Sequence, residues 1–89
     1  MTTLFIRHTV ADYGVWRKVY DAFAGTQKTL GVTAEAVYQA ADNPNDITVT
    51  HEFATLDAAQ AFVKSDELKK AMQGAGVLAA PTLWFTNKA

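Results

Sequence analysis

Cysteine is missing from the chain altogether. Disulfides, iron–sulfur clusters, thiolate zinc sites and cysteine nucleophiles go with it. Only two histidines are present. A transition-metal site would have to recruit carboxylates, and we expect no metal and no cofactor. Neither sign of charge dominates, since eight Lys and Arg stand against nine Asp and Glu. Nucleic-acid binding draws on clustered positive charge, and here the basic residues are scattered, so nucleic acid is not an expected partner. No apolar run approaches the ~20 residues that a membrane span needs. The opening Met1–Val10 lacks the charged-then-apolar layout of a secretory signal. The expectation is a cytoplasmic protein with no membrane partner.

What is present is globular in character: 89 residues, 49% hydrophobic and 19% charged. That length makes one domain over residues 1–89 and leaves no room for two cores. So short a chain is short of core. With disulfide and metal excluded, pairing with a second copy is the remaining supplement.

The hydrophobic pattern alternates between periods of two and 3.6. Thr3–Val10 reads as a strand with Leu4, Ile6, His8 and Val10 on one face and Phe5, Arg7 and Thr9 on the other. Asp12 offers an N-cap to a helix carrying Val15, Trp16, Val19, Tyr20 and Phe23 and ending near Leu30, where Gly31 suits the left-handed position. Gly25 within it invites a bend. A second strand follows over Val32–Ala41, with Ala34, Ala36 and Tyr38 opposite Glu35, Val37 and Gln39. Asp42–Asp46 is dense in turn residues and reads as a hairpin loop. Ile47–Phe53 returns as a strand with Ile47, Val49, His51 and Phe53 opposite Thr48, Thr50 and Glu52. Thr55 caps a second helix, Ser65 begins a fresh one with Leu68 and Met72 inward, and Gly74 and Gly76 stop it. Pro81–Phe85 is the last strand, with Leu83 and Phe85 opposite Thr82, Trp84 and Thr86.

The order βαββαβ with right-handed crossovers gives an α+β, ferredoxin-like fold. Its four-stranded antiparallel sheet runs 4-1-3-2, with both helices on one face. The apolar set, Leu4, Ile6, Val10, Ala34, Ala36, Ile47, Val49, Phe53, Leu83 and Phe85, is expected under the helices. The open face then holds Phe5, Arg7, Thr9, Glu35, Val37, Gln39, Thr48, Thr50, Glu52, Thr82, Trp84 and Thr86. Four strands offer a footprint of roughly 300 Å². A stable interface takes about 800 Å² per subunit. Edge strands and the C-terminal segment must therefore join any dimer seam.

The runs Leu4-Phe5-Ile6-Arg7-His8, Asp12-Tyr13 with Trp16, Gly31-Val32, His51-Glu52-Phe53, Asp57-Ala58-Ala59 with Ala61-Phe62, and Ser65 with Leu68 together resemble the dimeric α/β-barrel superfamily. Within it the likeness is to the antibiotic-biosynthesis-monooxygenase-like group, and it spans essentially the whole chain. The resemblance implies a homodimer joined through the open sheet faces, enclosing a cavity. It also implies small-molecule chemistry: cofactor-independent monooxygenases, cyclases, isomerases, haem-degrading enzymes and stress-related proteins without a defined reaction share this architecture. Glu52 falls where a carboxylate recurs at the end of the third strand. The chain departs from the pattern at Val63 and Leu68, where the resemblance places histidines.

Six residues are candidates. His8 and His51 titrate in the right range for acid–base work and share a face on neighbouring strands. That face is the helix side, where a structural role is the simpler reading. Arg7 and Glu52 share the open face; they form a cross-strand ion pair or a polar part of the dimer seam, or Arg7 binds an anionic or carbonyl oxygen while Glu52 accepts a proton. Phe5 and Trp84 stack on a flat ligand or simply fill a dimer seam. Trp16, Tyr20 and Phe23 read as core. The same topology serves RNA-recognition domains, but the third strand has no basic-glycine-aromatic signature and that reading is rejected. Haem handling ranks low. No motif specifies a reaction. The expected ligand is a small aromatic or carbonyl-bearing molecule, and the alternative is a non-catalytic binding or assembly module.

Overall fold

The computed structural model describes all of residues 1–89. Its elements are β1 (Thr2–Thr9), α1 (Tyr13–Ala22), α2 (Ala24–Thr29), β2 (Ala34–Ala40), β3 (Asn43–Phe53), α3 (Leu56–Lys64), α4 (Asp66–Gly74) and β4 (Thr82–Asn87). The sheet runs β2-β3-β1-β4 with every neighbour antiparallel. That is the expected order read from the other edge, and the fold is ferredoxin-like. No helix is long and apolar enough to cross a membrane.

Local chemistry explains where each helix begins and ends. The Asp12, Thr55 and Ser65 side chains accept from the backbone N–H of Val15, Ala58 and Leu68, capping α1, α3 and α4. Gly31, at φ 100°, closes α2: its own N–H reaches the Lys28 carbonyl and the Val32 N–H reaches that of Gln27. The first helix is interrupted at Phe23, two residues ahead of Gly25. There one N–H is shared between the carbonyls of Val19 and Tyr20, which tightens the turn.

The helices cover the face carrying Leu4, Ile6, His8, Val49, His51 and Phe53. Beneath them the core lies in two blocks. One gathers Leu4, Ile6, Val32, Phe53, Ala59 and Phe62; the other gathers Val10, Trp16, Ile47, Val49 and Ala75. Only 15 of 89 residues are buried, so each large core side chain carries an unusual share of the stability.

The orientation of β2 is the reverse of that expected. Its register pairs Glu35 with His51, Val37 with Val49 and Gln39 with Ile47. Directly paired residues share a face, so these three lie with the helices, and Ala34, Ala36 and Tyr38 lie on the open side. The cause is the hairpin. Its turn is the short Ala41-Asp42, β3 begins at Asn43, and the ladder shifts between Gln39 and Ala40. The displaced segment serves β1 instead. The Asn45 carbonyl accepts from the Val10 N–H at 2.9 Å, its side-chain oxygen from the Tyr13 N–H at 2.9 Å, and Asp46 pairs with Thr9.

Candidate functional site

The gap between the two core blocks is a chamber. Ile6 and Val49 form its floor on the sheet, Trp16, Tyr20, Phe23 and Gln27 its wall, and Leu68, Ala71, Met72 and Ala75 its roof. No charged residue lines it, and its free volume is about 40 Å³.

Two histidines, with Gln27, interrupt this apolar surface. His8 and His51 are buried, and none of their four ring nitrogens has a hydrogen-bond partner within the protein. Aromatic rings hold them instead. His8 meets Trp16 edge-on at 5.8 Å, and His51 lies 5.0 Å from Phe62 and 6.3 Å from Tyr20. Burial lowers the pKa of His8, and it drives that of His51 down to about 4 against the opposing charge of Glu35. Removing an imidazolium from water is costly, so His51 is neutral at physiological pH. The pair does not form a dyad. His8 stands opposite Ile47 and His51 opposite Leu4, which separates them by about 13 Å along the strands at the usual rise.

Tyr20 closes one side of the chamber. Its ring stacks on Trp16 at 4.9 Å, and its hydroxyl donates to a Glu35 carboxylate oxygen. Burial first, and then that hydrogen bond, raises the phenol's pKa above its ordinary value. Tyr20 is therefore a proton holder and a wall.

The remaining candidates lie on the other face. Arg7 donates to both oxygens of Asp46, at 3.0 and 2.7 Å, and lowers the pKa of that carboxylate through this hydrogen bond. Arg7 stands opposite Thr48, whereas Glu52 stands opposite Thr3; Arg7 and Glu52 do not meet. Phe5 and Trp84 pair across β1 and β4 and stack at 5.2 Å with planes 6° apart, Trp84 being 41% exposed. The open face thus presents one closed ion pair and one aromatic stack. The apolar enclosure with unpartnered polar groups is on the helix side.

Tyr20, Gln27, Glu35 and Trp16 were not singled out as functional by sequence. Gln27 was detectable: a polar residue four positions after Phe23 and seven after Tyr20 falls on the inward stripe of the helix. Glu35 was hidden by the reversed reading of β2.

No family model matches the chain, and no curated protein matches it in sequence. Solved structures do. A candidate antibiotic biosynthesis monooxygenase from Bordetella bronchiseptica superposes with TM-score 0.86 at 12% identity, over 99% of this chain and 96% of that one. SnoaB, a cofactor-independent oxygenase from Streptomyces nogalater, gives 0.82 at 12% identity, over 99% and 92%. A conserved protein from Methanosarcina mazei gives 0.76 at 17% identity, over 99% and 92%. The fold is that of antibiotic-biosynthesis-monooxygenase-like proteins, in keeping with the resemblance read from the sequence.

Proposed function

We propose that the chamber between sheet and helices is a small-molecule site that takes a flat, uncharged ligand, with His51 bonding its polar edge. The observation that carries this reading is a largely apolar pocket whose lining includes two buried histidines with all four ring nitrogens unpartnered. A buried polar group without a partner is costly by about 1–3 kcal/mol, and a ligand hydroxyl or carbonyl removes that penalty on binding. The absence of lining charge disfavours ionic ligands, which would be desolvated without compensation. A neutral imidazole accepts from a hydroxyl or donates to a carbonyl, according to its tautomer.

With its pKa near 4, His51 is a weak base at neutral pH and is better suited to bonding a ligand than to stripping a proton from it. Binding is therefore the first reading. Turnover, as a cofactor-independent oxygenase, cyclase or isomerase, is the second, and likeness of fold to SnoaB favours it. The open face, with Phe5, Trp84, the exposed Tyr38, Arg7 and Glu52, is in this reading the seat of a second copy rather than the wall of the ligand site. The small core supports that assignment. Sedimentation of the wild-type protein checks it: a dimer at micromolar concentration is expected, and a persistent monomer contradicts it.

The ligand site is tested by titrating 1-naphthol into the protein while following the imidazole nitrogens by 15N NMR. The His51 nitrogens are expected to shift saturably, and the Trp16 and Met72 signals with them. Shifts confined to the open face, or no shift at all, would overturn the assignment.

A further inference from the structure

A second, more polar cleft of about 180 Å³ opens between α2 and the start of β2, with Asp21, Lys28, Thr33 and Glu35 on its lining. Tyr20 and Gln27 line both this cleft and the chamber, so their side chains are the wall between the two spaces. The Tyr20 hydroxyl reaches across to Glu35 and holds the wall shut. Tyr20 occupies the last turn of α1, just before the interruption at Phe23.

Volume gives the wall its importance. The chamber's 40 Å³ is well short of the ~150 Å³ that lodges benzene in an engineered apolar cavity, whereas chamber and cleft joined exceed it. Seating a ring therefore requires the chamber to widen, and the adjoining cleft is the space that a movement of Tyr20 adds to it.

We propose that the ligand site is this joined space, with the Tyr20–Glu35 hydrogen bond as the catch between its halves, and that the ligand has two parts. A flat uncharged ring lies against His51, Trp16 and Met72, and a short tail bearing a hydroxyl or ammonium donor reaches Glu35 in the cleft. The inference rests on the small-molecule reading of the chamber and extends it to the tail and the residue that reads it. The argument is an exchange of donors. A carboxylate only accepts, and Glu35 is exposed in the cleft, so when Tyr20 swings aside water takes its place and a donor-bearing tail then displaces that water. The cleft's second carboxylate, Asp21, is held by Arg17 at 3.0 Å. With Asp21 already paired, Glu35 is the carboxylate that meets the tail, and beside it a donor tail is favoured over an anionic one.

Three probes with one ring test this on the wild-type protein: N-(1-naphthyl)ethylenediamine with a donor tail, N-ethyl-1-naphthylamine with an apolar tail, and N-(1-naphthyl)glycine with a carboxylate. Calorimetry is expected to rank them in that order, the diamine binding about tenfold more tightly than the ethyl compound. Nuclear Overhauser contacts are expected from the ring to the methyls of Met72 and Ala75, and from the tail to those of Ala24 and Val32. In Glu35→Gln, shown folded by circular dichroism, the diamine-to-ethyl affinity ratio falls toward one. Equal affinities with the ring seated at Met72, or a tail emerging beside α4, would overturn the two-part site and leave the chamber reading intact. Failure of all three rings to bind would overturn both.

Discussion

The two faces of the sheet are made from alternate residues of the same strands, yet their chemistry differs in kind. On β1, Leu4, Ile6 and His8 turn under the helices while Phe5, Arg7 and Thr9 turn outward. Under the helices a polar group is governed by desolvation. His51 and His8 lose basicity, and their nitrogens go unpartnered. On the open face water screens everything, and Arg7 and Asp46 simply find one another. A titratable residue one position along a strand therefore passes from a site where burial governs it to one where a neighbouring charge does. The contrast is the basis of the site proposed above: the covered face holds the unpartnered imidazole nitrogens, whereas on the open face Arg7 and Asp46 are paired.

The largest expected difference between the faces is in stability. Phe62 is buried against Phe53 at 5.4 Å and His51 at 5.0 Å, so Phe62→Ala should cost about 3–5 kcal/mol in urea unfolding. Trp84→Ala, measured in protein dilute enough that association does not contribute, should stay within about 1 kcal/mol. Equal costs would mean that the open face is core in all but name.

Next in size is the pH dependence. His51 has its folded pKa depressed to about 4 from the ordinary 6.5. Between those values the unfolded chain binds the proton and the folded chain does not, so stability falls as pH drops through that window. His8 is shifted in the same direction and adds to the slope. Between pH 7 and 4.5 the His51 contribution amounts to roughly 2–3 kcal/mol. Urea titrations of wild type and His51→Leu should diverge by that amount, and parallel curves would place His51 in a wetter setting. At pH 7 the same substitution should raise stability by about 1–2 kcal/mol, because it deletes two unpartnered nitrogens from an apolar enclosure. It should also abolish the naphthol-induced shifts. A loss of stability instead would show that those nitrogens are already satisfied. The smallest effect belongs to Arg7→Ala: the Arg7–Asp46 pair is exposed, and the urea midpoint should not move measurably.

Much of this contrast was legible in the residues, and the exceptions have physical causes. In β1 and β3 the apolar alternation of Leu4, Ile6 and Val10, and of Ile47, Val49 and Phe53, is strong enough to define both faces. It also places His8 and His51 under the helices. In β2 the run Ala34-Glu35-Ala36-Val37-Tyr38-Gln39 offers only alanines against a mixed set, so period alone misassigns it. The register with β3 decides its facing, and that register depends on a hairpin shift at Gln39 and Ala40 which has no plain sequence signature. The same missing register let Arg7 and Glu52 look like partners. Period says which face a residue takes and nothing about its height along the strand. The chamber itself arises where two core blocks fail to merge. A packing defect of that kind has no pattern of its own in one dimension.

Nature has placed one reporter on each face, since the chain has two tryptophans: Trp16, 3% exposed beside the chamber, and Trp84, 41% exposed on the open sheet. Labelling both with 5-fluorotryptophan and titrating 1-naphthol at constant protein concentration reads both faces in a single 19F NMR experiment. The Trp16 resonance should move saturably while that of Trp84 stays in place. Movement of Trp84 alone would put the ligand on the uncovered side and contradict the assignment of the site.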